Sequence, residues 1–398
     1  MTGHNGEVTR AEAVINLDAI AANLLSASSG LAPDAVMAVV KADAYGHGMV
    51  LAAQTAREFG AGWLGVALPS EALALRAAGD TGRILAWLWA PGDSDVSSAV
   101  QAGVDLSISS EWALEEVLAA GRSSGIRPRI HMKVDTGLSR NGCSIEDWPR
   151  LVASVAAAQG QGHIEVVAVW SHLANADVPL SDPLSASVRE QHLLLNQAIE
   201  TAGSFGLLDL RWHLANSAAT LQHPDCHGDL VRIGIAMYGV SPFVDQFGDE
   251  PATGDLGLIP AMTLRARIAL VKQIPSGASV SYGSAWTAEA PTTVALVPLG
   301  YADGIPRAAS GSGWVTLADS GGSALPVVGR IAMDQFVVAV PTGVRVQPGD
   351  WVTVFGDSRH GAPSAQDWAR ASGSIGYEIV TRIGSRVPRI YLRHEVGL

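Results

Sequence analysis

The stretch VMAVVKADAYGHG, Val36 to Gly48, runs an apolar segment into Lys41 and follows it with two glycines and a histidine. A lysine in that position does chemistry when an apolar seat lowers its pKa towards neutrality, so that its amine attacks a carbonyl and forms a Schiff base. Taken alone, it reads as a surface residue with its stem laid along apolar neighbours. Two further stretches change that reading. Ser217 in HLANSAA offers a hydroxyl, and Gly234 of GIAMYG can open backbone N–H groups to an anion. A reactive lysine beside an anion cradle calls for a phosphorylated aldehyde, which means pyridoxal phosphate.

Groups so far apart in the chain need a scaffold that gathers loops on one face. From Asp18 to Gly234, β-branched runs alternate with Ala/Leu-rich stretches of helical period, the pattern of parallel βαβ units. The runs are VMAVV, WLGVAL, ILAWLW, VDLSIS, RIHMKV, IEVVAVW, LRWHLA and LVRIG. Between them lie amphipathic segments, several opening with Ser and an early Glu, which is helix N-terminus chemistry. Eight such units predict a (β/α)8 TIM barrel over residues 12–245. After a Gly/Pro/Asp-rich linker, short runs such as MTLRARIALVKQI, TTVALVPL and DWVTVFG predict a C-terminal mainly-β domain over 246–398, with residues 1–11 packing against it. In such a barrel, catalytic groups sit after the strand ends. Lys41 follows the first run, with Gly46 and Gly48 turning the chain away; Asp135, Thr136 and Arg140 follow the fifth and His172 the sixth. Asn216 and Ser217 follow the seventh, and Gly234 and Ile235 come after Arg232 of the eighth.

The bulk properties exclude other classes. A net charge of -12 with no basic run argues against nucleic acid or an anionic membrane surface. The polar opening MTGHNGEVTR is not a secretory signal and no run approaches a bilayer's span, so a cytoplasmic protein is expected. Cys143 and Cys226 are the only cysteines and read as reduced thiols. HPDCHGD carries metal-ligating types but lacks a second Cys/His pair, so it reads as a solvated loop and no metal is expected. No G-x-G-x-x-G follows a strand, and neither a P-loop nor a G-x-S-x-G elbow occurs.

The motifs VVKADAYGHG, KVDTGLSRNG, SHLANAD, HLANSAA, RIGIAMYG, VSYGSAW, LGYADGIPR, GRIAMDQ and YEIVTRIGSRVPRIY resemble, in order and from Ala13 to Tyr391, those of the alanine racemase family. The resemblance implies a homodimer with shared active sites that uses pyridoxal 5'-phosphate to interconvert L- and D-alanine, supplying D-alanine for peptidoglycan. It implies that Lys41 holds the cofactor, that Tyr45, Ser217, Gly234, Ile235 and Tyr377 contact its phosphate, and that Asn216 lies in the same binding set. Arg140 would bond the phenolic oxygen and Arg232 the pyridine nitrogen. Tyr282 would be the second base, supplied by the other subunit, with Met333 and Tyr301 at the substrate end. Lys133 matches a lysine that is carbamylated in some members. Leu138 and Ser139 stand where the family often has Met-Gly, and Ala332 where some members have Cys. None of these is a proposed catalytic group.

Racemisation removes a proton from one face of a flat carbanion and returns one on the other, so two bases must flank it. Lys41 serves one face and Tyr282 the other. Near neutrality a tyrosine base needs a cationic or hydrogen-bonding neighbour, which His172, linked to Arg232, could supply. Arginine does not give up its proton, so Arg232 keeps the ring nitrogen unprotonated and disfavours transamination. A racemase acting on serine or several amino acids, and a non-catalytic cofactor-binding protein, are the competing readings.

Overall fold

The computed structural model describes residues 9–243, 256–318 and 323–393. The expected domain boundary at 245/246, the middle of the linker and most of the N-terminal segment lie outside them. The eight apolar runs form eight parallel strands: β2 Val36–Val39, β3 Trp63–Val66, β4 Arg83–Ala86, β5 Asp105–Ile108, β6 Arg129–Lys133, β7 Glu165–Trp170, β8 Arg211–His213 and β9 Val231–Ile233. All four residues of β2 are buried, which is why the run is continuous where a half-exposed strand would alternate. Paired strands run in the order β8-β7-β6-β5-β4-β3-β2-β9. At the remaining seam, the Arg232 backbone N–H donates to the Ala215 carbonyl at 3.0 Å and its guanidinium to the Leu214 carbonyl at 2.9 Å. The barrel is thereby drawn shut at a residue with a charged side chain.

The outer helices follow their sequence periods. Glu111–Ser124 buries Ala113, Leu114, Val117 and Ala120 and stops at Gly125, whose φ of 70° suits a residue without a Cβ. The Ser caps expected from the sequence do not form here. Ser110 makes no side-chain cap bond, and at the helix Pro69–Ala77 the Glu71 carboxylate accepts from Leu68 N instead.

The second sheet is built from β1 Ala11–Asn16, β10 Met262–Arg267, β11 Leu270–Ile274, β14 Thr292–Val297, β15 Trp314–Leu317, β16 Ala324–Val328, β17 Phe336–Val340, β18 Trp351–Phe355 and β19 Arg389–Leu392, with β12 Ser279–Val280 and β13 Trp286–Thr287 as a small hairpin. β1 pairs with β10 and β19. The expected barrel domain opens at residue 12, within this strand, whose backbone is paired on both sides in the second sheet. The parallel pairing of β1 with β19 thus joins segments nearly 380 residues apart. Inter-domain contacts are specific: Asn23 Nδ2 donates to the Ile259 carbonyl, and its Oδ1 accepts from Ile259 N.

Candidate active site

The strand end bearing Lys41 is not turned by its glycines, as the sequence suggested. Ala42, Asp43, Ala44 and Tyr45 all take left-handed backbone angles, with φ between 52° and 55°, before Gly46. Such conformations cost L-residues roughly 1–2 kcal/mol each, so about 4–8 kcal/mol across the turn must be offset by its surroundings. The fastening is visible. Ala42 N donates to Glu71 Oε1 at 2.6 Å, Met49 N to Asp43 Oδ1 at 2.8 Å, and Arg389 Nε to the Gly46 carbonyl at 3.0 Å. A Cβ at Gly46 would lie 2.6 Å from the Val380 carbonyl oxygen, and one at Gly48 1.9 Å from Tyr391 Oη. The β domain therefore grips the lysine turn of the barrel.

Lys41 opens into a pocket of about 290 Å³ lined also by Tyr45, Trp87, Lys133, Arg140, Trp170, His172, Asn216, Ser217, Arg232, Gly234, Ile235 and Tyr377. Its Nζ stands 5.8 Å from the Trp87 ring centroid and 5.9 Å from that of Tyr45. Desolvation, then the Arg140 charge, lowers its pKa. Trp170 forms a floor between cations, with Lys133 Nζ at 4.4 Å and Arg232 Cζ at 4.9 Å from its ring. Burial beside Arg232 and Arg140 lowers Lys133 to about 7. Arg232 is fully enclosed, donating to the Ser171 and Leu214 carbonyls, to His213 Nδ1 at 2.9 Å and to His172 Nδ1 at 3.2 Å. Because arginine only donates, His172 accepts on Nδ1 and carries its proton on Nε2.

The other end of the pocket is an anion cradle. Ser217 Oγ accepts from Gly234 N at 2.8 Å, and Asn216 Oδ1 caps the helix Ser217–Gln222 through Ala219 N at 3.0 Å. Tyr45 Oη reaches so close to Gly234 that a Cβ there would lie 2.6 Å from it. Burial raises the pKa of Tyr45 and of Tyr377, so both remain phenols able to donate. Four basic side chains line the pocket without one carboxylate. That donor set fits a phosphate-bearing aldehyde, with Lys41 as its amine.

Asp135 and Thr136 build the rim without lining the pocket: Asp135 Oδ1 accepts from Gly137 and Ser139 N, and Thr136 Oγ1 shares a hydrogen bond with Ser171. Tyr282, Tyr301 and Met333 do not reach the pocket either. They stand on the β domain, 72%, 44% and 53% exposed. Short contacts hold that face together: Ser281 Oγ donates to the Arg330 carbonyl at 2.6 Å, and Ala302 N to the Met333 carbonyl at 2.9 Å. The fold brings the barrel residues to one rim and leaves these three outward. Sequence reasoning missed Trp87, Trp170 and Glu71; Trp87 follows β4 just as Lys41 follows β2, a rim position that was legible. HPDCHGD folds with Cys226 buried and His227 Nε2 on the Thr220 carbonyl. Among the described residues no group of three or more His, Cys, Asp or Glu could hold a metal ion.

An eight-stranded barrel with a desolvated lysine on its rim, phosphate donors opposite and a gripping β domain defines a cofactor-dependent barrel enzyme. Family models place the particular family: "Alanine racemase, N-terminal domain" matches residues 15–242 and "Alanine racemase, C-terminal domain" residues 261–391. The alanine racemase of Streptomyces coelicolor is 51% identical over 390 residues, covering 97% of this chain and 96% of that one. That of Beutenbergia cavernae is 48% identical over 383 residues, covering 96% and 98%. The crystal structure of alanine racemase from D-cycloserine-producing Streptomyces lavendulae superposes with a TM-score of 0.91 at 50% identity over 98% of both chains. The Bacillus anthracis enzyme with bound L-Ala-P gives 0.85 at 34% identity, over 97% of this chain and 96% of that one. The chain belongs to the alanine racemase family, whose members depend on pyridoxal 5'-phosphate.

Proposed function

We propose that this chain interconverts L- and D-alanine by a two-base mechanism, as a cytoplasmic homodimer that supplies D-alanine for peptidoglycan. The observation that carries the reading is the pocket's charge: Lys41, Lys133, Arg140 and Arg232 converge with no carboxylate, opposite phenols held neutral. When bound, pyridoxal phosphate supplies an electron sink for the pair left on the substrate's α-carbon. Everything else falls to side chains. Tyr45, Ser217, Gly234, Ile235 and Tyr377 would hold the phosphate, with Asn216 in the same binding set, and Arg140 and Arg232 would bind the ring.

Lys41, its pKa lowered by desolvation, is the amine that takes or returns the α-proton on one face. The opposite face needs a second group, and no tyrosine at that side lines the pocket. Tyr282 from a second copy of this chain fills the place, with Tyr301 and Met333 closing the substrate end and excluding water. His172 turns its Nε2–H to the pocket, a donor that steadies a phenolate oxygen while Arg232 holds its other nitrogen. Lys133, held at about 7, offers a free amine that attacks carbon dioxide and loses a proton, leaving a carbamate whose charge suits Arg140.

The test is chiral chromatography of the holoenzyme incubated with L-alanine and, separately, L-serine. Wild type yields the D-alanine enantiomer, and Lys41→Ala and Tyr282→Phe lose on the order of 10²–10⁴-fold in rate. Binding of the cofactor with no change in alanine configuration overturns the reading, and faster turnover of serine moves it to the broader racemase.

A further inference from the structure

Arg232 is a deeply buried cation of the site, 4% exposed, and none of its hydrogen-bond partners is a carboxylate. A buried charge is tolerated where an opposite charge answers it. The nearest answer lies across the barrel's interior. Arg232 Nη1 is 2.9 Å from His213 Nδ1, His213 Nε2 is 3.0 Å from His131 Nδ1, and His131 Nε2 is 3.3 Å from Asp105 Oδ2. Asp105, His131 and His213 are fully buried. They stand on β5, β6 and β8, so with Arg232 on β9 the chain crosses the barrel and spans its unpaired seam.

The direction of every hydrogen bond follows from Arg232 alone. A guanidinium only donates, so His213 must accept on Nδ1; its proton then sits on Nε2 and is given to His131 Nδ1. His131 in turn must carry its proton on Nε2, where the Asp105 carboxylate accepts it. Both imidazoles are neutral, each donating away from Arg232. Reversing either ring would set two donors face to face.

We propose that Asp105, His131 and His213 are positioning residues for Arg232: a one-way chain through which the Asp105 carboxylate acts as its distant counter-charge. The chain holds the guanidinium protonated and aimed at the cofactor's ring nitrogen, so it governs how often the reaction strays from racemisation to transamination. That consequence rests on the racemase reading above; the chain itself does not. Arg83 and Arg129 also bind Asp105, at 2.6 and 2.7 Å, and hold it from the opposite end of the barrel. They separate a mere structural role from the proposed one.

The test begins with cofactor-free protein labelled with ¹⁵N in histidine. His131 and His213 should both show neutral Nε2–H imidazoles across pH 6 to 8, the span around the ordinary histidine pKa of about 6.5. The loaded enzyme is then compared as wild type, Asp105→Asn, His131→Phe and Arg83→Met, reading D-alanine against pyruvate formed per turnover. Asp105→Asn keeps a hydrogen-bond acceptor and removes the charge; it and His131→Phe should raise the transamination share on the order of tenfold, the scale on which outer partners of a site act. Arg83→Met, which leaves the imidazole chain and Arg129 in place, should not. An Nδ1–H or doubly protonated His213 overturns the proposal, as does an unchanged product ratio in folded Asp105→Asn. Should His131→Phe not fold, the labelled wild type and Asp105→Asn still decide; should wild type not racemise at all, the racemase reading fails while the tautomers still judge the chain.

Discussion

On the barrel side of the site, Lys41, Lys133 and Arg232 are desolvated and locked by a strained turn, a tryptophan floor and four hydrogen bonds to one guanidinium. On the β-domain side, Tyr282, Tyr301 and Met333 are held to their own domain and face solvent. The first half perturbs its groups and waits for a ligand; the second is an outward surface whose chemistry is idle until something covers it. Burial shifts the protonation of the first half, and the two halves are complementary in what they lack. In the proposed homodimer, a second copy would lay its exposed half over this pocket and supply both needs at once.

Perturbations of the buried half should cost most. Lys41→Ala removes the amine and should lower racemisation on the order of 10²–10⁴-fold, with the protein still folded by circular dichroism; activity within tenfold of wild type would remove the lysine from the mechanism. Acid should also strike this half. His47 is fully buried, its Nδ1 facing the Ala44 and Tyr45 carbonyls and its ring stacked on Tyr238, and burial lowers it to about 4. With an unfolded value near 6.5, its contribution is fully present above about pH 6.5 and is lost as pH falls towards 4, roughly 3 kcal/mol in all. His131, His172 and His213 shift in the same direction. Thermal unfolding should show Tm falling steeply over that window, and a flat profile would mean these imidazoles titrate freely.

The middle and smallest effects probe the cradle and the turn. Gly234→Ala sets a Cβ 2.6 Å from Tyr45 Oη, and cofactor affinity measured by absorbance titration should weaken on the order of 10–100-fold. Ala42→Gly relaxes a left-handed residue on the exposed side of the turn and should stabilise the fold by up to about 1 kcal/mol in urea unfolding. A loss of stability there would show that the turn is not strained.

Much of this organisation was legible in the residues. Continuous apolar runs announced the barrel because strands buried on both faces need no alternation, and each rim residue followed its strand. The pairing of β1 with β10 and β19 was hidden, since a short run carries no mark of its partner. The left-handed turn was hidden, because Ala42 and Ala44 have no side-chain preference for positive φ and the surroundings impose it. The chain from Asp105 to Arg232 was present as polar residues inside VDLSIS, RIHMKV and LRWHLA, but the partners are distant in sequence and meet only across the closed barrel. Exposure of Tyr282 was equally invisible: a motif names a residue and not the surface it stands on.

The claim that each site takes its second base from another copy is tested most directly with mixed dimers. Lys41→Ala and Tyr282→Phe chains, carrying different tags and co-expressed, can be purified as the hybrid, in which one site joins an intact Lys41 to an intact Tyr282. With shared sites the hybrid should regain about half of the wild-type rate per dimer, while each parent stays inactive. A hybrid no more active than its parents would contradict the account and put both bases on one chain.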